Sequence, residues 1–214
     1  MKSQPPVDAR ARLLDAAVEA FSKHGFHGTT TRAISTGAGM SPAAMYVHYA
    51  SKQQLLFDIV KEGHEAVIER LLEGARSAEH PREQFVAAVR GFVKWQLDSH
   101  TRARVITYEL EALEPEHLRR IVRLRRRGEL VVRQLVVAGV KARSFDTESP
   151  HLATLAVMSL VIDLARWYRE GKSWTRDEVL DHYTTCALRL VGAKPPASST
   201  GKTKRPSTAA TSSR

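Results

Sequence analysis

The sequence predicts an all-α protein of about nine helices: an N-terminal three-helix helix-turn-helix unit, followed by a larger helical domain. Three observations carry this. Apolar residues recur at helical spacing in one segment after another, and most segments open on a Ser/Thr or Pro start signal. No stretch reads as a strand, and no internal repeat is visible. Thr29 to Tyr49, TTTRAISTGAGMSPAAMYVHY, reads as two short helices around a turn bracketed by Gly37 and Gly39.

Met1 to Val7 is short, polar and interrupted by Pro5-Pro6, so it is expected to fray. From Asp8 to His24, Leu14, Ala17, Val18 and Phe21 fall at i, i+3, i+4 and i+7, with Gly25 as the C-cap. In the next helix Thr29 or Thr30 is the N-cap, and Ile34 and Ala38 share the inward face. Ser41-Pro42 restarts a helix that runs to about His48. This arrangement lets a second helix enter a DNA major groove while the first crosses the backbone.

Ser51 with Gln54 reads as a capping box opening a long helix to about Ala75, with Leu55, Leu56, Ile59, Val60, Val67, Ile68, Leu71 and Leu72 as its stripe. Such a helix joins the two domains and is a candidate lever between them. Glu83 to His100 is helical and aromatic, and Thr101 to Leu113 follows. Glu114-Pro115 starts a helix to about Ala142, whose residues Arg119 to Arg127 hold six arginines among nine positions. Its expected core face is Ile121, Val122, Leu124, Leu130 and Val131. A helix from Pro150 to about Glu170 is apolar nearly all round between Leu152 and Ile162, which predicts burial on both sides. Thr175 and Glu178 form a second capping box for the last helix, Arg176 to about Val191. The organisation is thus 8–60, 61–193, and a basic tail at 194–214 whose composition predicts disorder.

Bulk properties agree. The 214 residues hold 43% hydrophobic and 26% charged residues, ordinary for a globular protein. The longest uncharged apolar stretch, Leu152 to Ile162, is too short to span a bilayer, and Met1 to Asp8 is unlike a secretory or transit signal. A single cysteine, Cys186, makes no internal disulfide and no Cys-type zinc site, which suits a reducing cytoplasm. The net charge of +10 divides as +2 over residues 1–60, +3 over 61–193 and +5 over 194–214. It favours a nucleic-acid partner through phosphate attraction without establishing one.

Phe21, Gly25-Phe26, Thr29-Thr30, Ile34, Ala38-Gly39, Ser41, Tyr46, His48-Tyr49, Ser51-Lys52 and Leu55 resemble the N-terminal signature of the TetR/AcrR transcriptional regulators. The departures are mild: that family usually has an acidic residue at Ala33, Ala at Ser35, Phe at Tyr49 and Glu at Gln53. The resemblance implies phosphate contacts from Thr30, Arg32, Tyr46, His48 and Lys52. Independently, Ser41, Pro42, Ala43 and Ala44 at the start of the second helix are best placed for base edges. None offers a bidentate pair, so readout rests on thymine methyls, one hydroxyl and DNA shape. Thr31 and Tyr49 complete the candidate contacts, although Tyr49 and Met45 read more readily as core. So few base contacts call for a dimer on two half-sites, and the resemblance implies a homodimer through the last two helices.

The resemblance also implies an effector pocket in 61–193, for which Phe92, Trp95, Tyr108, Asp163, Trp167 and Tyr168 are candidates. For each aromatic, plain core is the competing reading. Asp163 is expected to pair with Arg166 or to line a polar spot, because an isolated buried charge is too costly. Ala165 to Gly171, Trp174 and Val179 to Leu190 more loosely resemble the subset of these regulators that governs fatty-acid or steroid catabolism and answers to acyl-CoA thioesters. Arginines at 119–127 would serve the phosphates of such a ligand; a solvated helix face is the alternative.

The chain therefore reads as a ligand-responsive DNA-binding regulator, most simply a repressor of a palindromic operator. No cofactor, metal or membrane partner is expected. An enzyme finds no support, because the nine histidines are scattered and neither a catalytic motif nor a Gly-rich phosphate loop is visible. A sequence-indifferent architectural DNA binder, using the tail and the net charge, is the alternative.

Overall fold

The computed structural model describes residues 9–171 and 174–194. The expectations for Met1–Val7, and for the tail beyond Lys194, lie outside the described residues. Among those residues there is no strand. The helices are α1 (Ala9–Gly28), α2 (Thr31–Gly37), α3 (Pro42–His48), α4 (Lys52–Arg76), α5 (Pro81–Asp98), α6 (His100–Tyr108), α7 (Pro115–Lys141), α8 (Pro150–Ile162), α9 (Leu164–Trp167) and α10 (Arg176–Leu190). A 3₁₀ turn, Leu110–Ala112, links α6 to α7. No helix among the described residues is long and apolar enough to cross a membrane.

Start signals act largely as read. Thr30 Oγ1 accepts from Ala33 N, Ser41 Oγ from Ala44 N, Ser51 Oγ from Gln54 N and Ser149 Oγ from Leu152 N. The box at Thr175 is complete, with the Glu178 carboxylate accepting from Thr175 N at 2.7 Å and Thr175 Oγ1 from Glu178 N at 3.2 Å. The one at Ser51 is half-made, because the Gln54 amide donates instead to Asp58 at 2.7 Å. Between the two candidates at the head of α2, Thr30 is the cap. Thr29 is buried and donates to the carbonyls of Gly25 and Ala20.

Gly25, at φ 69° and ψ 170°, ends the first helical run as read, and a further turn carries α1 across the kink to Gly28. Three expectations need correction. The helix from Pro150 ends at Ile162, eight residues early; after a one-residue break at Asp163 a last turn, α9, reaches Trp167, and Tyr168 is extended. Val122 and Leu130 on α7 are exposed, so the core face of that helix is narrower: Ile121, Val131, Val132, Leu135 and Val136. And α8 is buried on one side only within a single chain. Ala153, Thr154, Val157 and Val161 face inward, while Leu152 faces outward at 67% exposure.

Packing resolves into two cores. One gathers Leu13, Phe21, Ile34, Met45, Leu55, Ile59 and Val60 from α1–α4, with Val105, Ile106, Leu113 and Ile121 from beyond. The other gathers Leu71, Phe85, Phe92, Val132, Val136, Val157 and Leu164 from α4, α5, α7, α8 and α9, closed by Val179 and Ala187 of α10. Helix α4 contributes to both and, at 25 residues, runs about 37 Å. Trp95 packs against both as well.

Candidate DNA-binding surface and effector cavity

The recognition surface follows from how α2 and α3 are held. Ile34 and Met45 are fully buried, one from each helix, and pin the pair on α1. Gly39, at φ 66°, makes the tight turn between them, a conformation that costs an L-residue about 1–2 kcal/mol. Tyr46 Oη donates to Thr31 Oγ1 at 3.4 Å, tying the outer face of α3 to the head of α2. On that outward surface Thr30, Arg32, Ser41, Pro42, Ala43 and Tyr46 are exposed, while Thr31, Ala44 and His48 are half-exposed.

Two candidate DNA contacts sit differently. Tyr49 is 2% exposed and belongs to the core, with the Arg10 guanidinium 4.7 Å from its ring centroid. Burial pushes its phenol pKa up, partly offset by Arg10. The Lys52 ammonium donates to the carbonyls of Phe26 (2.6 Å) and Thr29 (2.7 Å) and lies 4.2 Å from the Phe26 ring centroid. Two of its three donors are thus committed to closing the end of α1, and burial lowers its pKa. One residue was missed: Val47, 80% exposed beside Ala43 and Tyr46. Reading α3 as a capped helix with Met45 inward already places Val47 outward by helical phase.

Polar contacts fasten this unit to the second domain. Glu109, just after α6, accepts from the backbone N–H of Phe26 at 3.0 Å. The Gln53 amide donates to Ala112 O and accepts from Glu114 N. Phe57 of α4 and His117 of α7 stack with ring centroids 4.1 Å apart. The end of α1 and the start of α4 are thereby held to the α6–α7 connection.

Beyond these contacts lies a cavity of about 410 Å³, within the usual range for ligand sites. Its walls are mostly apolar: Val67, Ile68, Phe92, Trp95, Ile106 and Met158. Its polar lining comes from His64 of α4, Gln96 of α5, Thr107 of α6, and Arg125, Arg126 and Glu129 of α7. Of the candidate ligand residues, Phe92 and Trp95 line it. Tyr108, Asp163, Trp167 and Tyr168 do not. Tyr108 is exposed past the end of the core-facing turn. Asp163 is no buried charge: it pairs with Arg166 at 2.7 and 2.8 Å, which holds its carboxyl below the usual range. Trp167 sits in a separate cluster with Tyr168, Trp174 and Tyr183, its indole N–H donating to Tyr183 Oη at 2.9 Å. Sequence reasoning favoured aromatics and so passed over His64 and Gln96.

Burial, reinforced by Arg125, lowers the His64 pKa to about 4 from an ordinary 6.5. The unfolded chain therefore binds this proton more readily than the folded one. The associated stability is intact above pH 6.5 and is lost as pH falls from 6.5 towards 4, by about 3 kcal/mol if the shift is fully expressed. Melting curves between pH 7 and 4.5 are expected to show a steeper fall for the native protein than for His64→Leu.

A helix-turn-helix on a helical domain with a mostly apolar, partly open cavity defines the class of DNA-binding regulators. The family description "Bacterial regulatory proteins, tetR family" matches residues 13–59, and "Tetracyclin repressor-like, C-terminal domain" matches residues 78–191. The chain belongs to the TetR family. A tetR-family regulatory protein from Rhodococcus RHA1 is 34% identical, with a TM-score of 0.82 over 88% of this chain and 100% of that one. The transcriptional repressor KstR2 of Mycobacterium tuberculosis is 25% identical over 186 residues, covering 84% of this chain and 90% of its own length. Its structure, described as that of a ketosteroid transcriptional regulator, superposes with a TM-score of 0.79, 22% identity, and 89% and 98% coverage. UidR of Escherichia coli K12 is 33% identical over 81 residues, 36% of this chain and only 41% of UidR. These relatives are transcriptional regulators, so this is a regulatory chain and not an enzyme.

Proposed function

We propose that the chain is a cytoplasmic repressor that binds a palindromic operator as a homodimer and is released by an acyl-CoA thioester. The observation that carries the reading is the course of α4. Its first turn is bonded to the helix-turn-helix unit through Lys52, and its Gly63, His64, Val67 and Ile68 line the cavity. A ligand filling the cavity therefore acts on the same rigid element that seats the DNA-binding unit. At about 410 Å³ the cavity suits the acyl portion. Arg125 and Arg126, both exposed beside it, suit the ligand's phosphates. KstR2 supports the lipid or steroid setting.

The DNA contacts follow the exposed surface: Ser41, Pro42, Ala43, Ala44 and Val47 towards the bases, and Thr30, Thr31, Arg32, Tyr46 and His48 towards phosphates. The third ammonium proton of Lys52 is free for the backbone. Arg32→Ala is expected to weaken binding about equally on every sequence and to lower the slope of log affinity against log salt by about 1. A titration series at four salt concentrations checks this. The dimer contact takes the outward face of α8, where Leu152 lies bare, together with Leu190 on α10.

The deciding experiment is a fluorescence-polarisation titration on the upstream intergenic DNA, with excess unrelated DNA, with and without a panel of acyl-CoA thioesters. Specific binding lost on adding a thioester, and not its free acid, supports the whole reading. Binding abolished by unrelated DNA would favour a sequence-indifferent architectural protein. Specific binding untouched by the panel would remove the thioester.

A further inference from the structure

The cavity carries two polar atoms that nothing in the protein satisfies. Gln96 is 4% exposed, and its Oε1 has no hydrogen-bond partner. His64 Nε2, on the neighbouring helix, is likewise closed off and unpaired. Both residues line the cavity. Buried polar side chains are paired in the large majority of cases, so two orphans in one ligand-sized space point to a partner supplied from outside.

Among the lining residues the other polar groups are spent or placed elsewhere. The Thr107 hydroxyl donates its proton to Ala103 O at 2.8 Å. Glu129 faces His151 at 3.2 Å. Ser159, Arg125 and Arg126 are exposed. The immediate surroundings in α4 and α5, Val67, Phe92 and Trp95, offer no acceptor or donor except the indole. An amide oxygen accepts only, so Gln96 needs a proton from the ligand. A neutral imidazole nitrogen either donates or accepts, according to its tautomer. A hydroxyl has the proton that Gln96 needs and an oxygen that can pair with a His64 N–H. A ketone or a bare methylene leaves Gln96 unpaired.

We infer that the effector carries a hydroxyl group within its otherwise apolar, cavity-filling portion, and that Gln96 and His64 read it. This rests on the cavity being the effector site, and it narrows the ligand class to hydroxylated acyl compounds.

The test uses the full-length protein with octanoyl-CoA, 3-hydroxyoctanoyl-CoA, 8-hydroxyoctanoyl-CoA and 3-oxooctanoyl-CoA, on the native chain and on Gln96→Leu, by calorimetric titration. The native protein is expected to bind a hydroxylated thioester roughly tenfold or more tighter than both octanoyl-CoA and the oxo compound. Gln96→Leu is expected to erase that preference while still binding octanoyl-CoA. Equal affinities in the native protein, or a preference that survives in Gln96→Leu, overturn the inference. Octanoic acid and the two hydroxyoctanoic acids run alongside. Hydroxyl preference among the acids, with no thioester bound, upholds the inference and removes the thioester reading; no binding by either set overturns both. Melting of the ligand-free proteins gives an independent check. Removing an unsatisfied buried acceptor is expected to raise the Tm of Gln96→Leu by roughly 2–4 °C. A fall would assign Gln96 to the scaffold and overturn its role as reader.

Discussion

Leu152→Asp is expected to convert the protein to a monomer in sedimentation analysis while leaving its helix content and its α1–α4 core intact. The side chain is 67% exposed on the outer face of α8, so a single chain tolerates the carboxylate. Across a two-fold interface each substitution counts twice, and two desolvated carboxylates are brought near one another. A cost of about 4 kcal/mol is modest for such burial and weakens dimerisation about a thousandfold. Operator affinity should fall with it, because a monomer reads one half-site while the dimer reads two a helical turn apart. A half-site oligonucleotide should be bound as weakly by Leu152→Asp as by the native protein. A variant that stays dimeric would move the interface elsewhere, towards α10, whose outer positions Asp181, His182, Thr185 and Arg189 are polar.

That test also bears on why part of the structure was readable from sequence and part was not. Local signals specified the recognition unit: caps at Thr30 and Ser41, Pro42 at the first helical position, and a Gly at the turn. Each acts within four residues, so the sequence states it directly. The apolar run of α8 was legible as a surface needing cover on both sides, and the bare Leu152 shows which side a single chain leaves open. Its end was not legible, because neither Gly nor Pro marks the break at Asp163, whose backbone stays in the helical region.

The cavity was the least legible part. Its wall is assembled from α4, α5, α6, α7 and α8, and helical phase alone says which face is buried without saying which buried face meets a void. Phe92 and Trp95 were found because bulk is visible in a sequence. His64 and Gln96 were not, because a lone His or Gln on an amphipathic helix has the same local pattern whether it is solvated or orphaned inside. Lys52 illustrates the same limit in the other unit. Its position at a helix N-terminus suggests a phosphate, and only tertiary structure brings the carbonyls of Phe26 and Thr29 to its ammonium.

The converse of the Leu152 test separates the two cores. Ile34→Ala is expected to abolish operator binding while leaving the protein dimeric. Ile34 is fully buried between α2 and the helices it packs on, and truncation leaves a cavity that short, seven-residue helices cannot easily close. Loss of such a side chain costs about 2–5 kcal/mol. Neither α2 nor α3 is long enough to persist without tertiary packing, so the cost falls on the recognition unit first. The core formed by α5, α7, α8 and α10 does not include Ile34, and α8 packs on that second core through Ala153, Val157 and Val161. Denaturant unfolding followed by hydrogen exchange should therefore show early exchange in α1–α3 and late exchange in α5 and α7. The link between the units sets how far this separation goes. The Glu109 carboxylate on Phe26 N–H, the Gln53 bonds to the 3₁₀ turn and the Phe57–His117 stack all tie the recognition unit to the α6–α7 connection. If exchange in α5 rose together with that in α1–α3, these ties would make the whole chain one cooperative unit. A ligand in the cavity would then act on the operator-binding surface through global rigidity, with α4 no longer acting as a separate lever.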